Sequence, residues 1–214
     1  MLPAGEPKFK RRKADRPEEI VAAAFEVFGE KGFAAARLDD IAARAGVSKG
    51  AVYLYFATKE DIFRAVVEQG IEPHLRTVQT TLTLQPQPLP DLLRGLAPFM
   101  SHMISETPIG GIIKVVIGEA RNFPELARIW HDRLIAVALG TLTAAIAGAQ
   151  ARGEMRPGDP RHYALSLVSP MLVSVIWRET FVPIGAEPFD PLPLANQHIE
   201  LWLSGMMIPP GAQP

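Results

Sequence analysis

Residues 38–56 hold the side chains of this 214-residue chain whose types and spacing best suit chemistry. Two short apolar-periodic stretches meet at Gly46, and Ser48 stands where its hydroxyl can cap the second. At 100° per residue, the second stretch puts Val52, Phe56 and part of Tyr55 on one face. Lys49, Gly50, Tyr53 and Leu54 fall on the other, with Ala51 at its edge. That second face offers a cation and a phenol beside positions that carry almost no side chain. A backbone bare at Gly50 and Ala51 approaches a groove wall closely, Lys49 and Tyr53 reach phosphates or base edges, and Ala51 or Leu54 meets thymine methyls. The chemistry is recognition of duplex DNA by a helix-turn-helix. The same spacing also describes a helical hairpin whose surface is merely small and aromatic.

The elements that must hold this segment are helical. From Pro17, the positions Ile20, Val21, Ala24, Phe25, Val27 and Phe28 make one apolar stripe, and Gly32 stops it near Lys31. Short helices follow over about 38–45 and 48–56. A long one runs over about 59–82, with Thr58 and Asp61 nearly matching a capping box. Residues 85–90, Gln-Pro-Gln-Pro-Leu-Pro, form a stiff connector. Beyond it the periodicity predicts helices at about 91–106, 109–122, 125–152, 161–181 and 194–207, each bounded by Pro or Gly. Runs of alternating polarity are missing, so the fold class is all-α.

Charge is unevenly spread. Residues 1–16 carry six basic and two acidic side chains, whereas residues 61–214 carry 11 basic and 14 acidic ones, a near-neutral total of −1 hiding a basic end on an acidic body. Lys10, Arg11, Arg12 and Lys13 are the core of that end, suited to a polyanion and, in a narrow minor groove, to shape readout. The absence of Cys excludes disulfide scaffolds, zinc fingers, iron–sulfur sites and thiol catalysis. The basic cluster is followed by polar residues 14–19 rather than an apolar run, so no secretory signal is expected and the chain is placed in the cytoplasm. The uncharged stretch 163–177, about 15 residues, falls short of a membrane span.

Residues 20–33, Ile-Val-Ala-Ala-Ala-Phe-Glu-Val-Phe-Gly-Glu-Lys-Gly-Phe, and 40–63, which begin Asp-Ile-Ala-Ala-Arg-Ala-Gly-Val-Ser-Lys-Gly-Ala-Val-Tyr, closely resemble the DNA-binding domain of TetR-family (tetracycline-repressor-like) regulators. The resemblance implies a flexible basic arm (1–15), a three-helix helix-turn-helix domain (16–64), a larger helical effector-binding and dimerisation domain (65–208) and a tail (209–214). It further implies a homodimer on a pseudo-palindromic double-stranded operator, released by a small effector; a repressor is the role expected, and the side chains of the larger domain make that effector largely apolar. Carried across by position, Ser48, Lys49, Gly50, Ala51, Tyr53 and Tyr55 fall on the recognition helix, and Lys59 on a phosphate-contacting lysine. Arg37 departs from the usual Thr or Ser before the second helix. It cannot supply the ordinary capping oxygen, and a phosphate contact is the role expected of it. Weaker likeness at 118–126 and 150–160 supports the architecture and names no ligand.

In the larger domain Phe99, His102, Met103, Glu119, Trp130, Arg133, Met171 and Trp177 are a polar-and-apolar mixture that suits an effector pocket, and equally an ordinary core. Leu165, Leu172, Ile176, Ile199, Trp202 and Met206 on the last two helices give the expected dimer face, with full burial in one subunit as the competing reading. The five His show no metal-ligand spacing, and no nucleophile elbow or phosphate loop occurs, so neither metal, cofactor nor catalytic residue is expected. A ligand-independent architectural DNA-binding protein and a helical enzyme are the remaining alternatives.

Overall fold

A computed structural model of the chain describes residues 16–73, 75–76, 79–80 and 87–209. The basic arm, with Lys10, Arg11, Arg12 and Lys13, lies outside the described residues, as does the end of the tail. Helix α1 (Arg16–Lys31) leads into α2 (Leu38–Ala45), α3 (Lys49–Tyr55) and α4, which starts at Lys59–Ala65 and passes into a wider π turn at Val66–Ile71. Next come α5 (Leu89–Glu106), which begins inside the expected 85–90 connector because Pro90 is tolerated in a first turn, α6 (Ile109–Glu119), α7 (Pro124–Ala151, with a π turn at His131–Ile135), α8 (Pro160–Ile184, loosening after Ile176) and α9 (Pro191–Met206).

Local signals explain the boundaries. Gly46 closes α2 in the left-handed region at φ 66°, which costs a glycine nothing. Thr58 Oγ1 accepts from Asp61 N–H at 3.1 Å and Asp61 Oδ2 accepts from Thr58 N–H at 3.0 Å, the reciprocal box expected at the start of α4. Arg37 indeed supplies no side-chain cap. Asp40 Oδ2 accepts from the Arg37 N–H at 3.1 Å instead, and Lys31 pairs with the same carboxylate at 2.9 Å. These partners hold the Asp40 carboxyl below its ordinary range, Lys31 contributing most.

Two hydrophobic clusters organise the molecule, and they do not part where the chain passes residue 64. The first joins α1–α4 to α6 and the front of α7. Phe28, Phe33 and Phe63 are fully buried in it, with ring centres 5.3–6.0 Å apart, and Ile112, Val115, Leu126 and Trp130 close it. The second holds α5, the back of α7, α8 and α9 around Leu93, Ile146, Met171, Ile199 and Trp202. We refer to them as head and body. α4 is laced to α7 by Arg64–Glu125 at 2.8 Å and Arg133–Glu68 at 2.8 Å, the latter joining the two π turns.

One expectation about length needs correcting. α7 has 28 residues and the α8 segment 25, and both are long and apolar enough by length and composition to cross a membrane. α8 exceeds the 163–177 stretch because it starts at Pro160 and continues through a π turn and a 3-10 turn to Ile184. Only 17% and 22% of their most apolar windows are buried within the protomer.

Candidate nucleic-acid interface

The recognition surface is built from α2 and α3. Ser48 Oγ accepts from Ala51 N–H at 3.2 Å, which starts α3 and stabilises it by about 1 kcal/mol. Val52 is fully buried and anchors the helix to the head cluster, with Phe56 packed beside it. Ser48, Lys49 and Gly50 face outward, and so do Tyr53 (52% exposed), Leu54 (80%) and Tyr55 (36%). An 80%-exposed leucine in a monomer offers methyl-to-methyl contact to thymine at no cost in rearrangement. Ala51 differs from the expectation. It is 7% exposed and turned inward, because Ala51 and Val52 together make the face that packs, whereas Leu54 stays outward.

The cations around this surface are in two conditions. Arg37 is exposed at the start of α2, and Lys49 Nζ sits 3.0 Å from Asp39 Oδ2 in a solvent-facing pair that raises the lysine above its ordinary value. Such solvent-facing pairs are weak and readily exchanged. Lys59 departs from the phosphate role. Its ammonium is drawn inward to the carbonyls of Phe33 (2.5 Å), Ala34 (3.3 Å) and Ala36 (3.1 Å) and lies 4.4 Å from the Phe33 ring centre. Burial pushes it below the ordinary lysine value, with Glu60 and Glu119 pulling the other way. It braces the turn before α2 rather than reaching outward.

The eight residues expected to line a pocket are scattered. Trp130 is 9% exposed and belongs to the head cluster; Arg133 is engaged with Glu68; His102 is exposed on α5. Met103 and Met171 are buried, Phe99 is half-buried, and Trp177 stacks between Phe181 and Phe189 while its indole N–H donates to the Glu187 carbonyl at 2.9 Å. Glu119 is bound to main-chain N–H groups of the head, and sequence reasoning missed this because the partners lie 85 and 86 residues away. A cleft of about 730 Å³ between α7 and the start of α8 has none of these eight residues in its lining.

The dimer-face set divides. Leu165 (54% exposed), Leu172 (45%) and Ile176 (38%) form an outward stripe on α8, joined by Val173 (62%). Ile199 and Trp202 are 8% and 6% exposed and serve the body cluster, the Trp202 indole donating to Ser166 Oγ at 3.0 Å; Met206 packs on the same cluster. On α9 Leu201 (64%) and Leu192 (36%) are the outward large apolar residues. Among the described residues no group of three or more His, Cys, Asp or Glu could hold a metal ion.

Residues 20–66 match the family described as bacterial regulatory proteins, tetR family, and residues 91–188 match the AefR-like transcriptional repressor, C-terminal domain. The chain is 26% identical over 187 residues to the transcriptional regulator RutR of Escherichia coli strain K12, covering 81% of this chain and 76% of that protein. It is 42% identical over 67 residues to the HTH-type regulator YfiR of Bacillus subtilis strain 168, a match confined to 31% of this chain and 33% of that relative. The fold is similar to that of SmeT, repressor of the Stenotrophomonas maltophilia multidrug efflux pump SmeDEF (TM-score 0.69, 25% identity, 92% of this chain and 95% of that one). It is similar too to FadR of Bacillus subtilis, solved in complex with stearoyl-CoA (TM-score 0.68, 21% identity, 88% and 98%), a likeness of fold alone. With matches to the family over both the head and much of the body, on the helix-turn-helix geometry described above, the chain belongs to the TetR family of transcriptional regulators.

Proposed function

We propose that this regulator is a ligand-responsive repressor that acts in the cytoplasm, binds a pseudo-palindromic operator as a homodimer, and is released by a small, largely apolar effector held in its body. The observation that carries the reading is the outward face of α3. Gly50, Tyr53, Leu54 and Tyr55 are presented to solvent by a helix that Val52 fastens to the head, with Arg37 and Lys49 beside it as phosphate ligands. With one cation paired to Asp39 and direct readout left to a few groups, much of the sequence preference comes from shape, and residues 1–13 supply a further share of the affinity.

The homodimer is supported by the stripe of Leu165, Leu172, Val173 and Ile176. An apolar row on a helix whose opposite side already serves the body cluster is covered most economically by its own symmetry mate. The effector's apolar character is supported by the aliphatic body cluster around Met155 and Met171, with Met100 packed against it. Its action is linkage: a ligand that favours a subunit arrangement with wrongly spaced recognition helices weakens operator binding by its differential affinity.

Selection of bound DNA from a random pool tests the reading. The expected product is an inverted repeat with half-sites about one helical turn, roughly 34–36 Å, apart, occupied by two protomers. Enrichment of single half-sites by monomers would overturn the homodimer, and no enrichment at all would overturn the DNA-binding reading. Titrating apolar compounds into the selected complex then separates regulator from architectural protein, since only a regulator lets go.

A further inference from the structure

The seam between the helix-turn-helix and α6 contains a clasp that the DNA-reading surface does not use. Glu119, the last residue of α6, sends its carboxylate into the turn between α1 and α2. Oε1 accepts from the Phe33 N–H at 2.9 Å and Oε2 from the Ala34 N–H at 2.6 Å. From the other side Lys59 Nζ gathers the carbonyls of Phe33, Ala34 and Ala36 in the same turn. Gly32 opens the turn at φ +79°, and a Cβ there would lie 2.8 Å from Glu119 Oε1, so the backbone is shaped to admit the carboxylate. At the far end of α6 the contact is equally close: a Cβ on Gly111 would lie 2.6 Å from Gly29 Cα in α1. α6 is therefore seated on the head at one end by bare backbone and at the other by a charge-assisted pair of hydrogen bonds, each roughly twice as strong as a neutral one.

From this geometry we infer that Glu119 is a positioning residue for operator recognition: its carboxylate fixes the orientation of the helix-turn-helix on the effector-binding body, and with it the separation of the two recognition helices in the homodimer. The inference rests on the homodimeric operator reading above. The route to DNA is short. The gripped residues Phe33 and Ala34 lead through Arg37 into α2, whose Asp39 holds Lys49 of α3. In the opposite direction α6 carries Ile112, Val115 and Val116 in the head cluster, while Ile113 packs against both clusters. A displacement of α6 by a ligand in the body is thereby delivered to the turn before α2 through two hydrogen bonds. α4, fastened along its side to α7, is a second connection.

The test compares wild type with Glu119→Gln, which keeps the shape but sets an amide N–H₂ against a backbone N–H, and with Glu119→Asp, one methylene short. The selected operator is rebuilt as a series with one or two base pairs added to or removed from its centre, and binding is measured across the series. Backbone amide hydrogen exchange is measured at Phe33 and Ala34. The wild type is expected to show one sharp spacing optimum. Glu119→Gln is expected to lose about tenfold at that optimum while gaining relative tolerance of its neighbours, with base preference inside each half-site unchanged. Exchange at the two amides is expected to accelerate at least about tenfold. Glu119→Asp falls between, and it carries the same test should the glutamine variant not fold. A spacing profile that keeps its shape overturns the inference, whether affinity is unchanged or falls uniformly along with the melting temperature; a uniform fall marks a merely structural role. Unchanged exchange at Phe33 and Ala34 overturns it too. If the wild type prefers no inverted repeat at any spacing, the operator reading falls, while the exchange result still reports separately on the clasp.

Discussion

The head and body clusters are built from different stock. The head is closed by three fully buried phenylalanines and bounded by explicit stops: the Gly46 corner, the Ser48 cap and the Thr58–Asp61 box. The body relies on long helices rich in Ala, Leu, Val and Met, tolerates Pro98 and Pro170 inside α5 and α8, and leaves Leu165, Leu172, Val173, Ile176 and Leu201 in water. A short helix cannot persist on propensity alone, so each short element of the head is fixed at its ends as well as on its face. Long helices need fewer end signals, and their surplus apolar surface is available for a second copy and a ligand. The front of α7 and most of α6 belong to the head by packing although they come much later in sequence, and Ile113 of α6 touches both clusters.

The sharpest test of this division is Phe63→Ala. Removing a fully buried ring from the head is expected to cost about 3–5 kcal/mol. In a variant that keeps Trp130 as its one tryptophan, the fluorescence transition should move with the head. In one that keeps Trp202 it should report the body, and a Trp130 signal that follows the body instead would break the assignment of α7 to the head.

Leu172→Glu probes the body's uncovered stripe. It should give monomers in sedimentation velocity and lower operator affinity by about two orders of magnitude through lost bivalency, leaving the monomer's melting temperature nearly unchanged. A dimer that survives this change lies on another face. Arg37→Ala tests the head's exposed cation. A phosphate role predicts a salt dependence of operator binding shallower by about one unit with base preference intact, whereas preference relaxed at one position would mean a guanine contact.

The smallest effect expected is on pH. Arg44 holds Glu30 below its ordinary value of 4.5, and Lys31, with the Arg37 N–H, holds Asp40 below 3.8. For a depressed carboxyl the stabilisation is fully present above the unfolded value and is lost as pH falls through the folded one. The melting-temperature difference between wild type and Arg44→Ala should therefore be a few degrees at most near pH 7, since the pairs are exposed. It should shrink toward zero in acid below the ordinary carboxylate range.

Most helix boundaries were legible within about three residues because Gly, Pro, Ser and Thr mark them chemically, and the reading face of α3 was legible because a seven-residue helix anchored by Val52 has few ways to lie. On α8 the three residues expected on the outward face, Leu165, Leu172 and Ile176, are outward, although hydrophobicity is spread all round the helix. Leu167, two positions from Leu165, faces in and serves the body cluster. On α9 the expected interface residues Ile199 and Trp202 proved to be core and Leu201 an exposed one, since large apolar side chains look alike until neighbours are placed.

The order of residues by itself determined the all-α class, the helix-turn-helix and the family, because these rest on contacts between residues a few positions apart. Only the tertiary structure decided that Lys59 turns inward, that Ala51 packs, that Trp130 belongs to the head and that Glu119 grips the turn before α2. Each of those outcomes depends on a partner supplied from elsewhere: the packed face beneath α3, or segments tens of residues distant whose carbonyls, rings and N–H groups meet these side chains only once the helices have docked.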